Sequence, residues 1–337
     1  MAENKAAPLL LEVRDLKTYF YRRGAFGTVR ADDYVAAVDG VSFAVREGET
    51  LGIVGESGCG KTTLGRTILR LVPATAGSVR YRGEELLTLP AAEMRARRRE
   101  VQMIFQDLDA ALNPKMRVGD LLAEAVTLHQ EVPADEVRGR CEALLERVKL
   151  KPAKLATYPP DLSGGEKRRV SIARVLAVEP RLIVADEPLS ALDVSIAAQA
   201  ANLMRELQED LGLTYLFISH DLRMVELIAH HVMVMYLGQV VEMAPAHVLA
   251  ERRAHPYSRL LWSAVDPMGG RRAQGGAGPA QWDLSEEDRP RSGCRFRSRC
   301  PIYHTKGEPA ECREAASEPK LTELGPEHRV ACHFPQE

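Results

Sequence analysis

The sequence predicts an α/β protein built on a mainly parallel sheet. Leu182–Ala185 and Tyr215–Ile218 are continuous apolar runs, as expected for strands buried on both faces. Ile196–Asp210, between them, has the length and spacing of a helix. A third short run, Leu51–Val54, ends in a glycine cluster and leads into Leu64, Ile68 and Leu71 at helical spacing.

The remaining elements follow in order. Leu9–Val13 reads as a strand, Arg22–Asp33 as a Gly- and charge-rich loop, and Tyr34–Val45 as one or two further strands. Val101–Phe105 is another apolar strand. Val118–Leu155 is mostly helical, with Leu121, Leu122, Ala125, Leu144, Leu145 and Val148 as core candidates. The composition changes at Asp266. Gly269–Ala280 holds five glycines and one proline without apolar periodicity, so 266–292 is expected to be a linker. The tail 293–337 is rich in Cys, Pro and Arg and poor in aliphatic residues, too poor to build a core alone.

The 337 residues correspond to one large domain with an appendage or to two domains, at roughly 150 residues each. Hydrophobic residues at 45% and charged residues at 27% exclude a disordered chain. Lys plus Arg total 45 against 47 Asp plus Glu, so net charge gives no reason to expect nucleic-acid binding. No apolar run is long enough to span a bilayer, and Met1–Pro8 has no signal-peptide core. The expectation is a cytosolic protein, or one held at a membrane by a partner.

Gly55-Glu56-Ser57-Gly58-Cys59-Gly60-Lys61-Thr62 fits G-x-x-x-x-G-K-[ST] between a strand and a helix, with Thr63 following. Glycines let backbone N–H groups turn toward phosphate oxygens, and the helix presents its positive end to the same anion. Lys61 would neutralise the β and γ phosphates and Thr62 would ligate Mg²⁺. Asp186 and Glu187 end the buried run at 182–185, where α/β sheets bind ligands. Asp186 would hold Mg²⁺ and Glu187 would polarise the attacking water. His220 ends the next strand and could contact the γ-phosphate, and Gln106 after Val101–Phe105 could sense Mg²⁺ or water.

With Leu162-Ser163-Gly164-Gly165-Glu166, Ser190-Ala191-Leu192-Asp193 and His220 in this order, residues 9–265 resemble an ABC ATPase. The resemblance implies a nucleotide-binding domain with a parallel core sheet, N-terminal antiparallel strands and a helical subdomain at about 110–175. It also implies that Ser163, Gly164 and Gly165 cap an ATP held by a second ATPase subunit, and that Asp193 couples the two sites. Phe20 aligns best with the aromatic that stacks on adenine, with Tyr19 and Tyr21 as alternatives. Glu166 stands where Gln is usual and adds a negative charge near the cap.

Val101–Pro114, His255-Pro256-Tyr257 and the tail motifs around Cys294, Cys300, Cys312 and Cys332 resemble the ATPases of oligopeptide and dipeptide importers. That likeness implies two transmembrane permease subunits, an extracytoplasmic peptide-binding protein, and a peripheral position on the cytoplasmic face of the plasma or inner membrane. It also implies a groove at Ala110–Pro114 for a permease helix. Two alternatives remain at this point: a soluble ABC ATPase acting on nucleic acid, or an accessory ATPase of a phosphonate-degrading complex. The basic runs Arg95–Arg99 and Lys167-Arg168-Arg169 are the features that speak for the first, but such runs are usually solvated helix faces.

The four tail cysteines are spaced C-x₅-C-x₁₁-C-x₁₉-C. Four thiolates can complete a tetrahedral zinc site or a 4Fe–4S cubane, or can remain unmetallated. Zinc favours a short C-x₂₋₄-C knuckle, which is absent, whereas a cluster accepts ligands from wider loops. Arg295, Arg297 and Arg299 would offset the thiolate charge. The family resemblance also points to the cluster.

Overall fold

Residues alternate in facing along a strand, and in this protein's central strands both sets are covered. Ile183 and Ala185 belong to one buried cluster, Leu182 and Val184 to another; Tyr215 and Phe217 divide from Leu216 and Ile218 in the same way. The computed structural model describes residues 7–23, 29–107, 111–128, 132–190, 192–265, 290 and 292–336.

The chain begins with β1 (Leu9–Arg23), β2 (Val29–Arg46) and β3 (Thr50–Val54), followed by α1 (Lys61–Ile68), β4 (Ala76–Tyr81) and β5 (Glu84–Glu85). Then come α2 (Ala91–Arg97), β6 (Val101–Ile104), α3 (Val118–Leu128), α4 (Ala134–Arg147) and α5 (Gly164–Leu176). The second half holds β7 (Leu182–Asp186), α6 (Val194–Leu211), β8 (Thr214–Ile218), α7 (Leu222–Ile228), β9 (His231–Tyr236) and β10 (Gln239–Pro245). It closes with α8 (Ala246–Glu251), α9 (Pro256–Val265), α10 (Pro301–Thr305), α11 (Ala310–Arg313), β11 (Thr322–Gly325) and β12 (His328–Val330).

The central sheet has the order β11-β12-β10-β9-β3-β8-β7-β6. The pairs β9–β3, β3–β8, β8–β7 and β7–β6 are parallel; the strands beyond β9 pair antiparallel. A second, antiparallel sheet runs β2-β1-β4-β5. Its Val13, Val41, Phe43 and Val79 pack with Leu64 and Ile68 of α1 on one face of the central sheet. On the other face Leu121, Leu122, Leu144, Leu145 and Val148 are buried with Val170 and Ala201, as their helical spacing predicts.

Several expectations need correction. Much of the segment read as a loop at 22–33 is strand: β1 runs to Arg23 and β2 starts at Val29, with 24–28 outside the described residues. Cross-strand pairing, which reaches Arg23 opposite Val29, overrides the loop-like composition. Tyr34–Val45, expected as one or two strands, lies within β2 and needs no correction. Leu71 is 42% exposed because α1 stops at Ile68. Arg168 is buried, not on a solvated face, and donates to the carbonyls of Phe105 and Ser190. In the other basic run Arg97 pairs with Glu84 and Glu100, and Arg99 with Glu179.

The expected linker falls outside the described residues except for 290 and 292. The tail beyond it borrows the main core. β12 pairs with β10 through Glu242 opposite Val330, and Phe296, Cys294 and Cys300 join the larger buried cluster. Fully buried Glu242 fixes this junction. It accepts from the Ala254 and His255 amides at 2.7 and 3.0 Å, and its Oε1 lies 2.8 Å from His328 Nε2.

Candidate nucleotide-binding and hydrolysis site

Four neighbouring parallel strands, β3, β8, β7 and β6, end at one edge of the sheet. Their carboxyl ends deliver the phosphate loop, Ser219-His220, Asp186-Glu187 and Phe105-Gln106 respectively. That shared edge explains why residues far apart in sequence meet.

The loop Gly55–Gly60 turns sharply into α1. Gly60 has φ +107°, and a Cβ there would lie 1.9 Å from the Ala37 carbonyl oxygen. A Cβ on Gly55, φ +153°, would lie 2.3 Å from the Met235 oxygen. Only glycine fits at either place. Ser57 and Gly58 lie exposed, while Cys59 is buried behind the loop, where burial pushes its thiol pKa up. Buried Lys61 donates from Nζ to the Gly55 and Glu56 carbonyls at 2.7 and 2.9 Å. Thr63 continues α1, its carbonyl accepting from Thr67 Oγ1.

Thr62 Oγ1 donates to Asp186 Oδ1 at 2.8 Å. Asp186 is fully buried, and among the described residues nothing bonds its Oδ2. Burial raises its pKa, so its ionised form calls for a nearby cation. One oxygen of Glu187 accepts from Gln106 Nε2 at 2.9 Å, and the other lies 3.2 Å from His220 Nδ1. The Glu187 backbone has φ +46°, a strained conformation for a non-glycine residue, and its amide is anchored on the Ile218 carbonyl. Thr62, Gln106, Asp186, Glu187 and His220 are thereby linked around one edge.

Ser163, Gly164 and Gly165 sit apart from this constellation, at the N-terminus of α5, with Ser163 and Gly164 exposed. Ser163 caps the helix reciprocally with Glu166: its amide donates to Glu166 Oε2 at 3.0 Å, and its hydroxyl accepts from the Glu166 amide at 3.3 Å. The charge that Glu166 adds is balanced by Lys154 Nζ at 2.7 Å. Asp193 caps α6 by accepting from the Ile196 amide. Tyr19 donates to Asp39 at 2.5 Å and stacks on Tyr34; Tyr21 also packs against Tyr34. Phe20 is 47% exposed.

The four tail cysteines line one cavity together with His255, Phe296, Tyr303 and His333. All are free thiols, and Cys294, Cys300 and Cys312 are buried. Burial pushes the Cys294 thiol up to about 12 and the Cys332 thiol to about 11, and raises Cys300 and Cys312 as well. Among the described residues no three metal-ligating side chains are placed to hold a single ion. Ala111 and Leu112 of the expected permease groove lie against the helices, Ala111 accepting from Arg174 and Leu112 buried; Ala110 is outside the described residues.

Sequence reasoning left two contacts unseen. Glu56 of the phosphate loop is gripped by Arg299 from the tail, and its amide donates to the Tyr257 hydroxyl at 2.9 Å. The His255-Pro256-Tyr257 motif was visible as a family signature, but a signature carries no contact.

Residues 38–190 match the ABC transporter family, and 241–306 match the C-terminal region of oligopeptide/dipeptide transporters. The chain is 44% identical over 96% of its length to the oligopeptide transport ATP-binding protein AppF of Bacillus subtilis, covering 97% of that protein. It is 45% identical to the oligopeptide transport ATP-binding protein OppF of Escherichia coli, over 89% of this chain and 91% of that one. Among solved structures, cbiO1 of Clostridium perfringens, part of the cbiONQ ABC transporter complex, aligns with TM-score 0.64 and 25% identity over 77% of this chain and 95% of that one. The ATP-binding cassette MJ0796, in a dimeric post-hydrolysis state with ADP and Pi, shares the fold at TM-score 0.62 and 24% identity, over 70% and 99%.

Proposed function

The chain belongs to the ATP-binding subunits of oligopeptide transporters, within the ABC transporter ATPases, and from that premise we propose that it powers import of di- or oligopeptides. ATP is sandwiched between this chain and a second, homologous ATPase subunit. The two ATPases sit beneath two transmembrane permease subunits, on the cytoplasmic face of the membrane, and an extracytoplasmic binding protein delivers the peptide. No described helix is long and apolar enough to cross a membrane, so the permeases provide the attachment in this scheme. The ion pairs made by Arg97 and Arg99, and the burial of Arg168, leave little to favour nucleic acid.

The observation that carries the proposal is the linked set Thr62–Asp186 and Gln106–Glu187–His220 beside Lys61. Lys61 would exchange its two loop carbonyls for phosphate oxygens, aided by the N-terminus of α1. Thr62, Asp186 and Gln106 would hold Mg²⁺, and the unpartnered buried Oδ2 of Asp186 fits that role. The ion supplies charge neutralisation on the transferring phosphoryl group. Glu187 takes the proton of the attacking water, with Gln106 and His220 fixing its two oxygens. Phe20 stacks on the base, and Ser163–Gly165 serve the ATP held by the other subunit.

The tail is assigned a 4Fe–4S cluster held by Cys294, Cys300, Cys312 and Cys332. A common cavity wall supports this, together with backbone N–H groups directed at sulfur, such as Phe334 N to Cys332 Sγ at 3.4 Å. Such donors favour the thiolate form, and a bound metal must displace the thiol protons. The cluster would staple the tail, outside the hydrolytic chemistry. Zinc held by the same four cysteines is the alternative.

Purification of the tagged full chain from detergent-solubilised membranes tests the assembly. A second ATPase and two hydrophobic subunits should accompany it, and peptide uptake should require Glu187. Capture of soluble partners alone would overturn the importer assignment and leave the ATPase standing.

A further inference from the structure

Arg299 is 3% exposed at its side chain, yet it reaches out of the cysteine-bearing tail to the phosphate loop. Its two terminal nitrogens donate to the two carboxylate oxygens of Glu56, each at 2.7 Å. The guanidinium is held in place by the rings of Tyr236 and Phe296, 5.7 and 5.8 Å from their centroids. Its backbone closes a single helical turn, with its amide on the Phe296 carbonyl, just before Cys300.

Glu56 occupies an awkward position for an acid. It is the second residue of a loop read as wrapping a polyanion, and its side chain remains 40% exposed. Unneutralised, its charge would oppose phosphate entry. Its backbone carbonyl also accepts from Lys61 Nζ, so the place of residue 56 helps to set the place of the lysine. A bidentate arginine answers both needs, since the fork neutralises the carboxylate and fixes its plane.

We propose that Arg299 is a positioning residue for the phosphate loop, acting through Glu56, so that the conformation of the tail and the loop's affinity for nucleotide are coupled. The proposal rests on the nucleotide assignment of the loop. Coupling of this kind is reciprocal: what orders the segment 294–300 tightens nucleotide binding, and nucleotide binding steadies that segment.

Calorimetric titration of MgADP into the full-length chain tests this. Arg299→Gln should raise Kd about tenfold, the size of one charge-assisted interaction. Arg299→Lys keeps the charge without the fork and should raise it only about threefold. In the Glu56→Gln background, where no carboxylate remains to be neutralised, Arg299→Gln should change Kd less than about twofold. Equal weakening in both backgrounds would show that Arg299 acts through the tail's general stability, and overturns the proposal. So does wild-type affinity in the Arg299→Gln chain. A wild-type chain that binds no MgADP overturns the nucleotide assignment and this proposal together. Should Arg299→Gln fail to fold, Arg299→Lys carries the same comparison at its smaller amplitude.

Discussion

Gln106 donates to Glu187 across 2.9 Å, joining the end of β6 to the end of β7. The bond orients the carboxylate while its second oxygen faces His220 at 3.2 Å. Glu187→Gln should therefore leave MgATP affinity close to wild type and cut hydrolysis on the order of 10²–10⁴-fold, since it removes the base and keeps the phosphate contacts. Single-turnover assays on the assembled transporter provide the check. The partner ATPase needs its equivalent glutamate changed too, so that its site cannot carry the flux. Turnover that survives both changes would take Glu187 out of the mechanism.

Gly60→Ala should abolish nucleotide binding. The added methyl would lie 1.9 Å from the Ala37 carbonyl oxygen at φ +107°, so either the loop or β2 must shift. Gly58→Ala is the useful contrast. It meets nothing within 4 Å and bears only the strain of φ +76°. Comparable nucleotide affinity in the two variants would contradict the steric account.

Glu166→Gln should keep the helix cap and change hydrolysis little, whereas Glu166→Ala should cost about 0.5–1 kcal/mol of stability. Lys154, and then the Ser163 amide, hold the Glu166 carboxyl below the usual carboxylate range. A depressed acid stabilises the fold above its unfolded pKa and loses that contribution as pH falls through the folded value. The stability gap between wild type and Glu166→Gln should accordingly shrink in acid, which denaturant melts at several pH values would reveal. A gap independent of pH would argue against the Lys154 pairing.

Glu242→Ala should destabilise the chain by about 3–5 kcal/mol, because two buried amides and His328 lose their acceptor at once. Urea unfolding measures the loss. A cost below about 1 kcal/mol would mean that the β10–β12 junction is held mainly by its apolar neighbours.

Anaerobic purification should yield a brown protein with iron and acid-labile sulfide at about four each per chain. Colourless protein with one zinc would remove the cluster and keep the four ligands. Protein free of metal under those conditions would remove both.

Much of the nucleotide edge was legible because its motifs encode backbone geometry. Glycines mark the tight approach at Gly55 and Gly60, and apolar runs mark strands buried on both sides. The bodies of β1 and β2 were legible, but their far ends, where Arg23 pairs opposite Val29, were hidden because their composition looks like loop. Arg168 was hidden among basic neighbours, since a charge string does not say which member turns inward. Arg299 and Glu56 lie 243 positions apart, and no local pattern links them.

The placement of β12 on β10 bears on how the protein is made. A strand edge left bare is a template for pairing with other chains. β10 leaves the ribosome well before β12, so its outer edge stays uncovered until β12 emerges. Once added, β11 forms the new border, only four residues long and carrying Glu323. Truncation before Thr322 should thus yield a chain whose ATPase motifs are whole but which aggregates, and which a chaperone holds until degraded.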